Sequence, residues 1–312
     1  MLRKTGFLFL AIFALLAAAC GQSGAGKPEA GNAGDNGDKE MVTYESETGP
    51  VRVPKHPERI VALTNAPNVL SLGGKLVGVD QWTNMNPLFQ AMLEGVEEVS
   101  DQNVEKILEL EPDLIIAGDY TANLDKLRAI APTVTYTWGK LDYIAQQIEI
   151  GKLIGKEQQA REWADDFLKR AREAGEKVRQ AIGEDTTVSV FESDTKQIYV
   201  FGSNWARGTE VLYQAMGLKM PKKVEEDALG PGYHALSVEV LPEYAGDWIV
   251  LSKDPDVEYD FLNTETWKNL PAVKNNRVIE INMKASTYSD PITLDYLLDI
   301  YTKAFLGEND SQ

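Results

Sequence analysis

The sequence predicts an α/β protein of two Rossmann-like lobes joined by one long α-helix, and three observations carry that prediction. Short apolar runs recur along the chain that are continuous rather than alternating, as in strands covered on both faces of a parallel sheet. Midway between two groups of such runs lies a helical pattern, Glu157–Ile182, that contains no proline. The two halves also echo each other. Val104-Glu105 and Val238-Glu239 each open a helical pattern, and Asp113-Leu114-Ile115-Ile116 and Asp247-Trp248-Ile249-Val250 each begin a strand. The same interval separates Glu105 from Asp113 and Glu239 from Asp247, the mark of a repeated αβ unit.

The elements follow in order. Arg3 and Lys4 form a basic start, Gly6 to Leu16 an apolar run, and Ala17-Ala18-Ala19 lead into Cys20, the single cysteine of 312 residues. That run is shorter than the ~20 apolar residues of a membrane-spanning helix and fits a signal-peptide core, so residues 1–19 are read as a leader. Residues 20–48 are read as a flexible linker. Gly21 to Glu40 is almost all Gly, Ala, Ser, Asn, Asp, Lys and Glu, which buries too little apolar surface to offset chain entropy. An N-terminal lobe over 49–150 holds strands at Arg59–Leu63, Leu76–Asp80, Leu114–Ala117 and Thr133–Tyr136. A connecting helix over 151–183 carries one apolar stripe of Trp163, Phe167, Ala171, Ala174, Val178 and Ile182, and charged residues fill its other faces. A C-terminal lobe over 184–308 holds strands at Val188–Phe191, Gln197–Phe201, Trp248–Leu251 and Arg277–Ile281.

Composition excludes several classes of function. The formal charge is −17; without Arg3 and Lys4 the balance is 29 basic against 48 acidic residues, a net −19. So acidic a chain is a poor partner for nucleic acid or anionic lipid. One cysteine excludes a disulfide and a zinc–thiolate cage. His56 lies in a rigid Pro54-Lys55-His56-Pro57 entry and His234 in a loop; two distant histidines make no metal site. The nucleophile elbow, zincin, P-loop and dinucleotide fingerprints are missing from the sequence, so an enzyme is not expected.

What remains is one arginine among aromatic residues in loop-like contexts. In Tyr199-Val200-Phe201-Gly202-Ser203-Asn204-Trp205-Ala206-Arg207-Gly208 a strand ends near Gly202 and a helix restarts near Thr209. Trp205 and Arg207 thus occupy a strand-to-helix turn, where open α/β sheets present ligand-binding groups; taken alone, Trp205 suits binding or packing equally. Trp138 after the strand Thr133–Tyr136, Tyr288 in Ser286-Thr287-Tyr288-Ser289, and Trp82 after Val79-Asp80-Gln81 are further candidates. Trp163, Trp248 and Trp267 fall on regular elements and are assigned to packing.

Several runs match a known family in order and spacing. They are Val104-Glu105-Lys106 through Pro112-Asp113-Leu114-Ile115-Ile116, Ala131-Pro132-Thr133-Val134, and Gly151-Lys152-Leu153-Ile154-Gly155-Lys156-Glu157. Asn204-Trp205-x-Arg207-Gly208 through Glu210-Val211-Leu212-Tyr213-Gln214-Ala215 is the most specific. Tyr244-Ala245-Gly246-Asp247, Trp267-Lys268-Asn269-Leu270 and Asp290-Pro291-x-Thr293-Leu294-Asp295 complete the set. On these runs the chain resembles the substrate-binding lipoproteins of iron–siderophore ABC importers, in particular the hydroxamate branch. Ala17-Ala18-Ala19-Cys20 likewise resembles a lipoprotein processing box, although Leu16 stands one residue further from the cysteine than such boxes place it.

The resemblance implies a cleft between two lobes on one rigid helix, a lipid anchor at Cys20 as the only membrane attachment, and a monomer working with a permease and its ATPase. Ferric iron is a hard cation satisfied by oxygen donors. Wrapped by three hydroxamates it forms a formally neutral core, so no protein metal ligand and no cofactor are expected. By position Arg207 matches the family arginine that donates to the hydroxamate oxygens, a role that suits its forked donors. Tyr199, Trp205 and Trp138 match aromatic wall positions. Tyr288 lies in the same region, with Thr287 where a tryptophan is expected. Glu105 and Glu239 match one acidic docking residue per lobe for the permease. Rival readings are another chelate (ferric catecholate, haem or corrinoid) and a surface hydrolase using His234.

Overall fold

The computed structural model describes residues 40–194 and 197–308. The predicted leader and Cys20 lie outside them. The described residues open with an antiparallel hairpin, β1 (Met41–Ser46) and β2 (Gly49–Pro54). This corrects the linker boundary at 48. Val42 and Tyr44 alternate with polar residues, and Tyr44 and Val53 sink into the N-terminal core while the intervening side chains face outward. The Tyr44 hydroxyl lies 2.9 Å from that of Tyr136 and donates to Glu149 Oε2 at 3.1 Å, which fastens the hairpin to the lobe.

The first lobe is built on β3 (Ile60–Ala62), β4 (Leu76–Val79), β5 (Glu97–Glu98), β6 (Leu114–Gly118) and β7 (Thr133–Tyr136), all parallel, in the order β5-β4-β3-β6-β7. Every residue of β6 and β7 is buried; the unbroken apolar run of β6 predicts this, while β7 buries Thr133 and Thr135 as well. Leu114 and Ile116 join one core with α1 (Ala66–Ser71) and α5 (Tyr143–Leu153). Ile115, one residue out of phase, joins the opposite core with Ile107 and Leu127 of α3 (Val104–Glu109) and α4 (Leu124–Ile130). Between them in sequence, the short α2 (Gln81–Met85) follows β4.

The connecting helix α6 spans Glu157–Ile182, so the predicted stretch 151–183 is too long at its start: residues 151–153 finish α5. At ~1.5 Å per residue α6 is roughly 40 Å long. Its buried line runs through Ala160, Ala164, Phe167, Ala171, Gly175 and Val178, with Trp163, Ala174 and Ile182 at the margin. Ala160 enters the N-terminal core, whereas Phe167, Ala171 and Val178 enter the C-terminal one. Gly175 is required by a close approach, since a Cβ there would run into the Met216 carbonyl.

The second sheet has the order β10-β9-β8-β11-β12, from β8 (Val188–Ser193), β9 (Ile198–Phe201), β10 (Tyr233–Leu236), β11 (Trp248–Lys253) and β12 (Val278–Asn282). β8, β11 and β12 are parallel, while β9 is antiparallel to both neighbours. The helices of this lobe are α7 (Lys222–Ala228), α8 (Leu241–Tyr244), α9 (Glu265–Lys268), α10 (Pro271–Lys274) and α11 (Pro291–Leu306). α11 packs on α6, where Asp295 accepts from Trp163 Nε1 at 3.1 Å and Arg170 Nη2 at 2.7 Å, and it also meets α1 of the first lobe.

The echo between halves is structural. β6 and β11 hold the same place in the two sheet orders. Asp113, just before β6, accepts from the backbone N–H of Glu58 and Arg59 ahead of β3. Asp247, just before β11, accepts from the backbone N–H and the hydroxyl of Thr187 ahead of β8. Each aspartate ties the start of its own strand to the start of the neighbouring one. Among the described residues no helix is long and apolar enough to cross a membrane.

Candidate functional site

The turn after β9 is where the two lobes meet. It passes through three consecutive left-handed residues, Ala206 (φ 58°), Arg207 (φ 55°) and Gly208 (φ 73°). Two of these carry side chains, a conformation that costs energy unless the surroundings fix it. The surroundings do so from several elements. Trp205 N donates to Thr209 Oγ1 at 3.1 Å, and Ala206 N to Glu210 Oε1 at 3.1 Å. Arg207 N donates to Ser286 O at 2.8 Å, and the Tyr301 hydroxyl donates to Arg207 O at 2.7 Å. Glu210 is buried, and desolvation pushes its carboxyl above the usual range despite these donors. A π-helical turn, Glu210–Ala215, continues the chain. The predicted strand-to-helix turn therefore exists, but β9 runs antiparallel, so it leaves the sheet in the sense opposite to the parallel strands.

Arg207 is held as tightly as its backbone. Its Nε and Nη2 donate to the two carboxylate oxygens of Glu192 at 3.0 and 2.7 Å, and its guanidinium carbon sits 4.9 Å from the centre of the Phe201 ring. The Arg207 side chain is 20% exposed and that of Glu192 9%. Arg207 is thus partly open to solvent while its guanidinium stays anchored.

Aromatic rings run from this turn across to the other lobe. Trp205 meets Trp138, two residues past β7, edge-on at 6.2 Å between centroids. On its other side Trp205 meets Tyr233 at 5.1 Å, and Tyr233 meets Tyr199 at 5.9 Å. Edge-on and tilted pairs of this kind suit the ring quadrupoles. Gly232, at φ 93°, lets Trp205 lie directly on the backbone, where any Cβ would strike the indole. Trp138 remains 67% exposed and Tyr233 41%, so the chain of rings presents open faces.

Tyr288 and Trp82 are placed apart from that chain of rings. The Tyr288 hydroxyl lies 3.1 Å from Thr83 Oγ1 and donates to Asp80 Oδ1 at 3.2 Å, so it bridges the second lobe to the cap of α2. Burial first, and then the Asp80 charge, push its phenol well above the ordinary range. Thr287 turns its hydroxyl back to Met283 O at 2.9 Å. Trp82, on α2, is 62% exposed. Glu105 is exposed in the first turn of α3, and Glu239 is exposed in the single turn Val238–Val240 ahead of α8. A hydrogen bond from Ser237 holds the Glu239 carboxyl below its usual range. Of the histidines, His234 stacks on Tyr244 at 5.8 Å and His56 packs against Gly155.

Sequence reasoning missed Glu192 and Tyr233. Glu192 was findable. A carboxylate inside the otherwise uncharged strand Val188–Ser193 demands a cationic partner once buried.

The fold and this site can be set beside known proteins. The periplasmic binding protein family is matched over residues 61–285. The chain is 36% identical to the iron(3+)-hydroxamate-binding protein FhuD of Bacillus subtilis (strain 168), over 97% of this chain and 98% of that protein. It is 39% identical to the iron(3+)-hydroxamate-binding protein YxeB of the same organism, over 84% of each. Among solved structures, FhuD2 of Staphylococcus aureus with bound ferrioxamine B superposes with a TM-score of 0.77 at 33% identity, covering 80% of this chain and 99% of that one.

Proposed function

Because this chain belongs to the periplasmic binding protein family, we propose that it captures ferric hydroxamate siderophores and delivers them to the permease of an ABC importer. The observation that carries the reading is Arg207, fixed by Glu192 on the turn whose Trp205 meets rings supplied by both lobes. Iron reaches such a site already wrapped in oxygen, so recognition needs only hydrogen-bond donors for the oxygens and flat walls for the linkers between them. A guanidinium has five N–H groups. Two go to Glu192 and one makes a 3.3 Å contact with Trp205 O, which leaves two for the chelate oxygens. Trp138, Trp205, Tyr233 and Tyr199 supply the walls, with Trp82 and Tyr288 further along. The role is binding rather than catalysis. Export with a lipid anchor at Cys20 would keep the receptor at the outer face of the membrane, beside the permease and its ATPase, and Glu105 and Glu239 would dock there.

The test is titration of the purified protein with a ferric trishydroxamate, read by quenching of tryptophan fluorescence. Saturable quenching is expected. Arg207→Ala should weaken it by about 1.5–3 kcal/mol, roughly ten- to hundredfold, as for a hydrogen bond to a charged group. No quenching by any ferric hydroxamate overturns the reading, and an unchanged affinity in the variant removes Arg207 from the site.

A further inference from the structure

Among the described residues, Glu192 is the one carboxylate paired with Arg207. Its Oε1 accepts from Arg207 Nη2 at 2.7 Å, and its Oε2 accepts from Arg207 Nε at 3.0 Å and from the Ser252 hydroxyl at 2.6 Å. Ser252 is wholly buried, and Glu192 is 7% exposed. Three hydrogen bonds and burial thus hold the carboxylate in place. The pair has no net charge. Lys253, next to Ser252, and Lys284, two residues before Ser286, are likewise matched, Lys253 with Glu280 at 2.8 Å and Lys284 with Asp254 at 2.8 Å. None of the aromatic wall residues is charged.

We propose that Glu192 is a specificity-determining residue: by neutralising and aiming Arg207, it makes the groove select chelates with a neutral ferric core over chelates with an anionic one. The proposal rests on the receptor reading above and adds a charge rule to it. A trishydroxamate core sums to zero and can take the two remaining N–H donors without disturbing the fork. A core that includes a catecholate or an α-hydroxycarboxylate carries surplus negative charge. It meets a guanidinium already neutralised, with a fixed carboxylate behind it. Repulsion built against the wrong ligand is a common source of selectivity. In a partly buried groove a unit charge a few ångströms away is weakly screened. Among the described residues the Glu192 carboxylate hydrogen-bonds to Arg207 and Ser252, so it acts through Arg207 as a positioning residue.

The experiment compares two probes, a ferric trishydroxamate and a ferric dihydroxamate–α-hydroxycarboxylate chelate with one surplus negative charge. Both are titrated by tryptophan quenching against the wild type, Glu192→Gln, Glu192→Asp and Arg207→Gln, with circular dichroism establishing that each variant is folded. Glu192→Gln is expected to move the affinity ratio toward the anionic chelate by about tenfold or more, with little dependence on added salt. Glu192→Asp keeps the charge and should keep the ratio, even if both affinities fall. Arg207→Gln leaves the Glu192 charge unopposed and should widen the preference for the neutral core, so this arm decides the matter even if Glu192→Gln does not fold. A ratio that stays put in both Gln variants, or that moves as far in Glu192→Asp as in Glu192→Gln, overturns the charge rule while leaving the receptor reading intact. A wild type that binds neither chelate overturns both.

Discussion

Asp290 shows how a single residue carries two opposed demands. It caps α11, its Oδ1 accepting from the backbone N–H of Ile292 at 2.9 Å and of Thr293 at 3.3 Å. Yet it is 1% exposed, and burial pushes its carboxyl up to about 6 against these donors. An unfolded aspartate releases its proton near pH 4. Between about pH 4 and 6 the folded chain therefore holds a proton that the unfolded chain has lost, and stability falls as pH rises through that window. Above it this group adds no further change. Asparagine caps a helix as well as aspartate does and carries no charge to bury. Asp290→Asn should thus lose up to about 3 kcal/mol of the decline in stability between pH 4 and pH 7. Urea unfolding of both proteins at the two pH values measures it, and identical pH dependences would show that burial is not what burdens this carboxyl.

At the scale of elements, the spine helix is set by one glycine. Gly175 lets α6 lie against the backbone of Met216, and an alanine there gains helix propensity but meets that carbonyl head-on. Gly175→Ala is expected to destabilise the chain by about 1–3 kcal/mol, as overpacking does, and to lower the denaturation midpoint. An unchanged midpoint would mean that the contact yields freely. The eight strands and the spine were legible in the sequence because each shows its period plainly: unbroken apolar runs such as Leu114–Gly118 belong to strands covered on both faces, and the stripe through Phe167 belongs to a helix. The hairpin was not, since Val42 and Tyr44 follow a run of small polar residues whose composition masks a two-residue alternation. β10 escaped because Tyr233 and His234 sit behind Gly230-Pro231-Gly232, which reads as a turn, and the sheet completes itself through antiparallel pairing that local pattern does not encode. Arg207 and Trp205 stood out as residues without a core to join. Tyr233 did not, because what marks it is a neighbour distant in sequence, whereas Glu192 was marked by its charge inside an otherwise uncharged strand.

Taken whole, the molecule is a pair of related halves held by more than the spine. α11 touches both lobes, and Tyr288 reaches Asp80 and Thr83 across the junction. Glu105 and Glu239 precede strands that hold the same position in each half, so one exposed carboxylate recurs per lobe. A two-fold permease would meet the same feature twice. Reversing both, Glu105→Lys with Glu239→Lys, should abolish siderophore-dependent iron uptake in cells while leaving the ligand affinity of the purified protein unchanged. Normal uptake would exclude a docking role for these residues.

The three left-handed residues at the groove have a consequence for how the protein becomes competent. Their conformation is underwritten by Ser286 and Tyr301, both far along the chain, and Tyr301 lies on the last helix. A copy that stops short of that helix owns the arginine and Glu192 but lacks the Tyr301 hydroxyl that holds the arginine's backbone. Fragments and half-made chains would therefore leave the cargo alone, and only a finished receptor would draw iron from its surroundings.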